Sequence, residues 1–252
     1  MRRVAVWAFL CVASLGARAV SAASPDYDAL LYRALRYGNT EERREQKEDA
    51  RQALFAVGAD ALREVMARAH YENVMLQVFA FELVSGHVPA EAGVPVLAEF
   101  LNSEHEQTRR VAAYLLGFYP RAEDQVPALM GMLSEEKLRG VALRTLGKWK
   151  VDAVRPVARE LLRDESERIR IAACNALGAF ADPADLSALI EAMGDGALLV
   201  RSGATRAVLQ CGAAARAVLE AAQPESEGTK RRQIEQALRV LKGEWEGELP
   251  YY

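Results

Sequence analysis

The chain has 252 residues, with 32 lysines and arginines against 35 aspartates and glutamates, a formal net charge of −3 and three cysteines. A balance this acidic argues against indiscriminate binding of phosphate backbones, and so few cysteines cannot frame a disulfide-stapled scaffold. At 51% hydrophobic residues the chain is rich enough in apolar side chains to bury a substantial core.

In chain order, the first element is a three-part leader. Arg2 and Arg3 precede an apolar run from Val4 to Leu15, and small residues follow through Ala19, Ser21, Ala22 and Ala23. That layout predicts a secretory signal peptide over residues 1–22. The run is shorter than the roughly 20 residues that cross a bilayer, so an uncleaved anchor is the weaker reading and cleavage near Ala22 leaves no membrane span. Export to a periplasmic or extracellular location is the expectation. Cleavage removes three basic residues and makes the rest more acidic still. Of the cysteines, Cys174 and Cys211 would remain. Their helix registers differ by about six residues, roughly 9 Å of axial offset, too far for a disulfide, so both read as small apolar residues.

Residues 23–39 read as an N-terminal cap, with a short helix from Asp26 to Tyr37. Thr40 then opens a long polar helix, EERREQKEDA, whose alternating charges suit a solvated face. From there to residue 243 the chain repeats itself about every thirty residues. In the five C-terminal copies an arginine recurs at Arg109, Arg139, Arg170, Arg201 and Arg231. With that arginine as offset zero, offset three holds Ala112, Ala142, Ala173, Ala204 and Ile234. Offsets six and seven hold Leu115 and Leu116, Thr145 and Leu146, Ala176 and Leu177, Ala207 and Val208, Ala237 and Leu238. Those offsets trace one stripe of a helix. Two earlier copies keep a stripe without the arginine: Ala53, Ala56, Val57 and Gly58, then Phe81, Val84, Ser85 and Gly86. Glycine closes five copies, which predicts helix ends in the left-handed conformation. A second apolar helix lies between copies, opened by Pro95, Pro127, Pro156 or Leu186.

Two helices per unit, neither able to bury its stripe alone, must stack on neighbours. The proline-led helix, the acidic turn and the succeeding Val-Arg or Ile-Arg, alanine and Leu-Gly helix resemble HEAT repeats, of the short kind also found in phycobilin lyases. The resemblance covers roughly residues 50–243. It implies an all-α fold, a right-handed α-α superhelix (a HEAT/armadillo-like solenoid) of about seven helix pairs. It also implies a structural ladder, in which an acid six residues before the arginine (Asp164 for Arg170, Asp195 for Arg201, Glu225 for Arg231) helps to bridge neighbouring repeats. Arg109 and Arg139 have Ser103 and Leu133 at that place, with Glu104 and Glu135 nearby as substitutes. The tail, residues 244–252, is too short for another repeat, and Trp245, Tyr251 and Tyr252 are placed to cap the last helix.

If offsets three, six and seven face inward, offsets one and five face outward. Offset five reads Phe55, Leu83, Tyr114, Arg144, Asn175, Arg206 and Gln236; offset one reads Arg51, Phe79, Arg110, Gly140, Ile171, Ser202 and Arg232. The apolar cluster Phe55, Phe79 and Leu83 is compatible with packing beneath the N-terminal helix, the favoured reading, or with an open binding face. Tyr114, Arg110, Arg144, Asn175, Arg206 and Arg232 form the candidate partner-binding row, since aromatics and arginines are enriched at interface hot spots; the equal alternative is that these arginines pair with nearby acids.

Chemistry is absent from the pattern. His70, His87 and His105 stand 17 and 18 residues apart, without zinc spacing, and no glycine-rich phosphate loop, serine elbow or activated cysteine occurs. No cofactor and no metal is implied. The expectation is an exported noncatalytic scaffold that binds a partner protein or peptide, of acidic character, on the curved face. A phycobilin-lyase-like enzyme, suggested by the resemblance alone, and an accessory subunit of an envelope complex are the alternatives; a nucleic-acid binder is disfavoured by charge.

Overall fold

The structure, a computed structural model, describes residues 25–36, 40–69 and 73–244. The leader at 1–22, Tyr37, His70 and the tail aromatics Trp245, Tyr251 and Tyr252 lie outside the described residues. Among the described residues there are helices and no strand. The α-helices are α1 (Tyr27–Leu35), α2 (Glu41–Val57), α3 (Ala59–Ala67), α4 (Val74–Glu82), α5 (Ala90–Leu101), α6 (Glu106–Leu116) and α7 (Val126–Gly131), followed by α8 (Glu136–Lys148), α9 (Val154–Leu161), α10 (Glu167–Phe180), α11 (Leu186–Ala192), α12 (Leu198–Gln210), α13 (Ala213–Ala222) and α14 (Gly228–Leu241). They alternate as seven pairs, and the even-numbered helices from α6 to α14 stack side by side in one layer, with α4 against the near side of α6. No described helix is long and apolar enough to cross a membrane.

Side-chain caps set three of the α-helix starts. Asp26 accepts the Ala29 N–H at 3.0 Å to open α1, and Asn73 accepts the Met75 N–H at 3.0 Å to open α4. Thr40 accepts the Arg43 N–H at 3.4 Å, a looser contact at the start of α2. The stripe predicted for α6 to α14 forms the core: Ala112, Leu116, Ala142, Leu146, Ala173, Leu177, Ala204, Val208 and Ile234 are fully buried. Each leucine buried this way contributes about 1.5–3 kcal/mol relative to exposure.

Three expectations need correction. First, the two N-terminal copies sit in another register. In α2 the buried residues are Ala50 and Leu54, while Ala53 and Ala56 are exposed. In α4 they are Leu76, Phe79 and Ala80, continued by Leu83 and Val84, while Phe81 and Ser85 are exposed. Phe79 and Leu83 are therefore core, and Phe55 is half-buried against Phe79, ring centroids 5.5 Å apart. The helix after Glu82 widens into a π-helical turn, Leu83–His87, which absorbs an extra residue and shifts the faces.

Second, the repeat glycines are not left-handed caps. Gly117 has φ −64°, and Gly147 and Gly178 lie inside α8 and α10; of the five, Gly58 alone has positive φ. At Gly147 and Gly178 the reason is close approach. A Cβ on Gly147 would stand 2.6 Å from Ala176 Cα, and one on Gly178 would stand 2.8 Å from Ala207 Cβ. Offset eight of one helix thus packs on offset six of the next. Third, Pro95 lies within α5, which begins at Ala90 after Pro89. Pro127 and Pro156 do fall in the first turns of α7 and α9, and Leu186 opens α11.

Candidate protein-binding groove

The arginine at offset zero is a structural device with two ends. One end closes the turn before its own helix by donating to the carbonyl six residues back. Arg109 reaches the Ser103 carbonyl at 2.9 Å, Arg139 that of Leu133 at 2.8 Å, Arg170 that of Asp164 at 2.8 Å and Arg201 that of Asp195 at 2.8 Å. Because the acceptor is backbone, the side chain at that place is free to vary. The other end bridges to the acid of the next repeat: Arg109 to Glu135 at 2.6 Å, Arg139 to Asp164 at 3.1 Å, and Arg170 to Asp195 through two bonds of 2.8 and 3.0 Å. The side-chain ladder therefore links Arg109, Arg139 and Arg170 forward, not to the acid before them. Burial pushes Asp195 up, but Arg170, the Ala197 N–H and Arg201 together outweigh it and hold its carboxyl below the ordinary value. At the C-terminal end Arg231 pairs with Glu235 of its own helix at 3.1 Å, and Glu225 is exposed.

Along the same helices, one stripe away, lies a groove of about 1500 Å³ floored by α6, α8 and α10. Arg110, Tyr114, Arg144 and Asn175 line it, so four of the six predicted binding residues are brought together. Arg206 joins their edge by donating to Asn175 Oδ1 at 2.6 Å. Arg232 does not belong: it is exposed on α14 and bonds Thr229 at 3.1 Å.

Two further side chains complete the row. Phe118 and Lys148 stand four residues beyond Tyr114 and Arg144, one turn along the same face. The Arg144 guanidinium lies 4.9 Å from the Tyr114 ring centroid, and the Lys148 ammonium 4.3 Å from that of Phe118. Tyr114 and Phe118 meet edge to face at 5.1 Å. Burial, and then the nearby positive charge of Arg144, lower the pKa of Lys148. Among the described residues no carboxylate forms an ion pair with Arg110, Arg144, Lys148 or Arg206. Acids do occupy the opposite edge, where Glu106, Glu136, Asp164 and Glu165 flank the helix starts. Two of those are already engaged, Glu106 with Lys137 at 3.5 Å and Asp164 with Arg139.

On the other layer sits a charge cluster that sequence reasoning missed. Asp185 is fully buried, and its two oxygens accept from Arg155 Nε at 3.0 Å and Arg159 Nε at 2.6 Å. Its role is to tie α9 to the turn before α11. Cys174 is buried and free, its thiol pushed up to about 12 by burial, and Cys211 is free and half-buried. His87 stacks on Phe55 at 3.6 Å and His105 precedes α6; among the described residues no group of three metal-binding side chains gathers.

These features define a helical-repeat solenoid with a lined groove. Residues 133–210, which hold α8 to α12, match the family model of HEAT repeats, and the described residues form an all-α, HEAT-like solenoid of seven helix pairs. The X-ray structure of YibA from E. coli is similar at 16% identity, with a TM-score of 0.54 over 83% of this chain and 78% of that one. An engineered protein, structural genomics target OR497, is 17% identical and covers 85% of this chain and 68% of its own, with a TM-score of 0.45. No curated protein matches the chain significantly.

Proposed function

We propose that the protein is an exported, noncatalytic interaction scaffold whose groove on α6, α8 and α10 holds an acidic, extended segment of a partner protein. One observation carries this reading. Every ladder arginine from Arg109 to Arg170 has a carboxylate partner, whereas Arg110, Arg144, Lys148 and Arg206 in and beside the groove have none among the described residues. Uncompensated cations packed on aromatic faces are suited to a ligand that brings its own negative charge. The leader supports export, where such a scaffold would meet envelope or extracellular partners.

The test is a photo-crosslinking residue placed at Ile171 in the groove, in wild type and in the Arg144→Glu/Arg206→Glu variant. A specific adduct from the exported compartment that disappears in the charge-reversed protein, at unchanged helical content and unfolding midpoint, is the expected result. An adduct of equal yield in both proteins refutes the role of the groove charges. Export itself is checked by the mass of the mature N-terminus, which should begin near Ala23.

A further inference from the structure

Helix α4, with the sequence VMLQVFAFE, is apolar apart from Gln77 and Glu82, the latter paired with Arg51. Its inner face, Leu76, Phe79 and Ala80, is buried, but Val74, Met75, Val78 and Phe81 on the other face are 67%, 44%, 44% and 37% exposed. A contiguous apolar face left to water marks an interaction surface. This face does not stand alone. Phe81 meets Phe118 edge to face at 4.9 Å, Phe118 meets Tyr114, and Gln77 of α4 lines the groove beside Arg110. The apolar face of α4 therefore runs without a break into the row of aromatics and cations on α6 and α8.

We propose that the segment bound in the groove is amphipathic along its length, with apolar anchor side chains at one end seated on Val74, Val78 and Phe81, and carboxylates at the other end against Arg144, Lys148 and Arg206. This rests on the groove being the binding site and adds what the partner must look like. The charge order of the groove sets the order of the ligand: apolar over α4, aromatic and cationic over α6 and α8, cationic with an amide at α10 and α12. Helices pack about 8–10 Å apart, so four steps from α4 to α12 span roughly 32–40 Å. An extended chain rising about 3.3 Å per residue covers that with about 10–12 residues.

Three synthetic 12-residue peptides test the proposal by fluorescence anisotropy. One carries four leucines, four serines and four glutamates in blocks; the second alternates the same residues; the third has glutamates in their block and serine elsewhere. The blocked peptide is expected to bind about tenfold more tightly than the other two. A photo-leucine at its apolar end should label α4, not α12. Val74→Ser/Val78→Ser, which changes two exposed side chains, should reduce the blocked peptide to the affinity of the glutamate–serine peptide and leave the latter unchanged. If the glutamate–serine peptide binds and is lost on Arg144→Glu/Arg206→Glu, but blocked and alternating peptides bind alike, the groove reading stands and the amphipathic order is overturned. If no acidic peptide binds, both fall. Binding of neutral phosphatidylcholine vesicles that Val74→Ser/Val78→Ser abolishes would assign α4 to lipid and overturn the proposal.

Discussion

Replacing Asp195 with alanine cuts the ladder at its best-formed rung. The change removes two charge-assisted bonds of 2.8 and 3.0 Å from Arg170 and the 2.8 Å bond from the Ala197 N–H, and it strands a guanidinium whose side chain is only 17% exposed. Breaking a fully buried pair costs about 3–5 kcal/mol; the residual access of water to both partners lowers the expectation to about 2–3 kcal/mol. For a chain of this size that is a fall in Tm of about 4–12 °C, read by circular dichroism at the helical band and checked by urea titration at constant m-value. Glu225→Ala, at the exposed acid off the ladder, should change stability by less than about 0.5 kcal/mol. The dependence on pH has a fixed sign. Because the folded state holds the Asp195 carboxyl below its ordinary 3.8, the stabilisation is fully present above that value and is lost as pH falls through the lower, folded pKa. The gap between wild type and Asp195→Asn should therefore be constant near neutrality and close below about pH 3.8. Equal destabilisation by Asp195→Ala and Glu225→Ala would refute the ladder as a source of stability.

Gly147→Ala should destabilise by about 2 kcal/mol, since the added Cβ would stand 2.6 Å from Ala176 Cα and must push α8 from α10, whereas Gly131→Ala, with nothing within 4 Å, should stabilise by about 0.5–1 kcal/mol; the two signs are read from unfolding midpoints. Cys174 should resist iodoacetamide until the protein opens, because burial leaves its thiol both covered and protonated, with a pKa of about 12; peptide mass mapping should find Cys211 alkylated first. Lys148 should titrate below the ordinary lysine value of 10.5. The folded state then releases that proton before the unfolded state does, so stability contributed by this group rises with pH across the window below 10.5. Nitrogen-detected NMR follows the side chain, and a Lys148 that titrates at or above 10.5 contradicts the burial of its ammonium beside Arg144.

From Arg109 onward the architecture is open to reading because a long polar residue at offset zero marks the phase of each helix, and the small and aliphatic residues three, six and seven places later can then face only inward. Helices α2 and α4 lack that marker. Helix α2, packed chiefly on α1, buries only Ala50 and Leu54. In α4 seven of the nine residues are apolar, so periodicity picks out no stripe, and the π-turn at Leu83–His87 rotates the residues after it onto other faces. The glycines mislead for a related reason: close approach of two helices and a left-handed cap call for the same residue, and only the facing Ala176 and Ala207 distinguish them. In the groove, offsets one and five identify Arg110, Tyr114, Arg144 and Asn175, but Phe118 and Lys148 at offset nine escape notice because they come after the glycine that closes the repeated motif. Asp185 had no signal at all. An aspartate in the turn Asp182-Pro183-Ala184-Asp185 looks solvated until Arg155 and Arg159, one turn apart on α9, are seen to converge on it.

The two classes of arginine in these repeats differ in what holds them. From Arg109 to Arg170 the arginine at offset zero sits near the start of its helix, beside the carbonyls of the preceding turn and paired with the next repeat's acid, so the repeat itself holds it and it keeps the thirty-residue period; Arg201 keeps the carbonyl contacts without such an ion pair among the described residues. An arginine at offset five sits mid-helix on the open face, where neighbouring helices present only Tyr114 and Asn175 as partners. Nothing in the stacking geometry requires a cation there, and the offset-five row accordingly does not repeat: tyrosine, arginine, asparagine, arginine and glutamine succeed one another at positions 114, 144, 175, 206 and 236. Positions that obey the period are explained by how one repeat meets the next. Those on the same helices that break the period while remaining exposed and unneutralised have no such explanation, and they converge on the groove from which the apolar face of α4 extends.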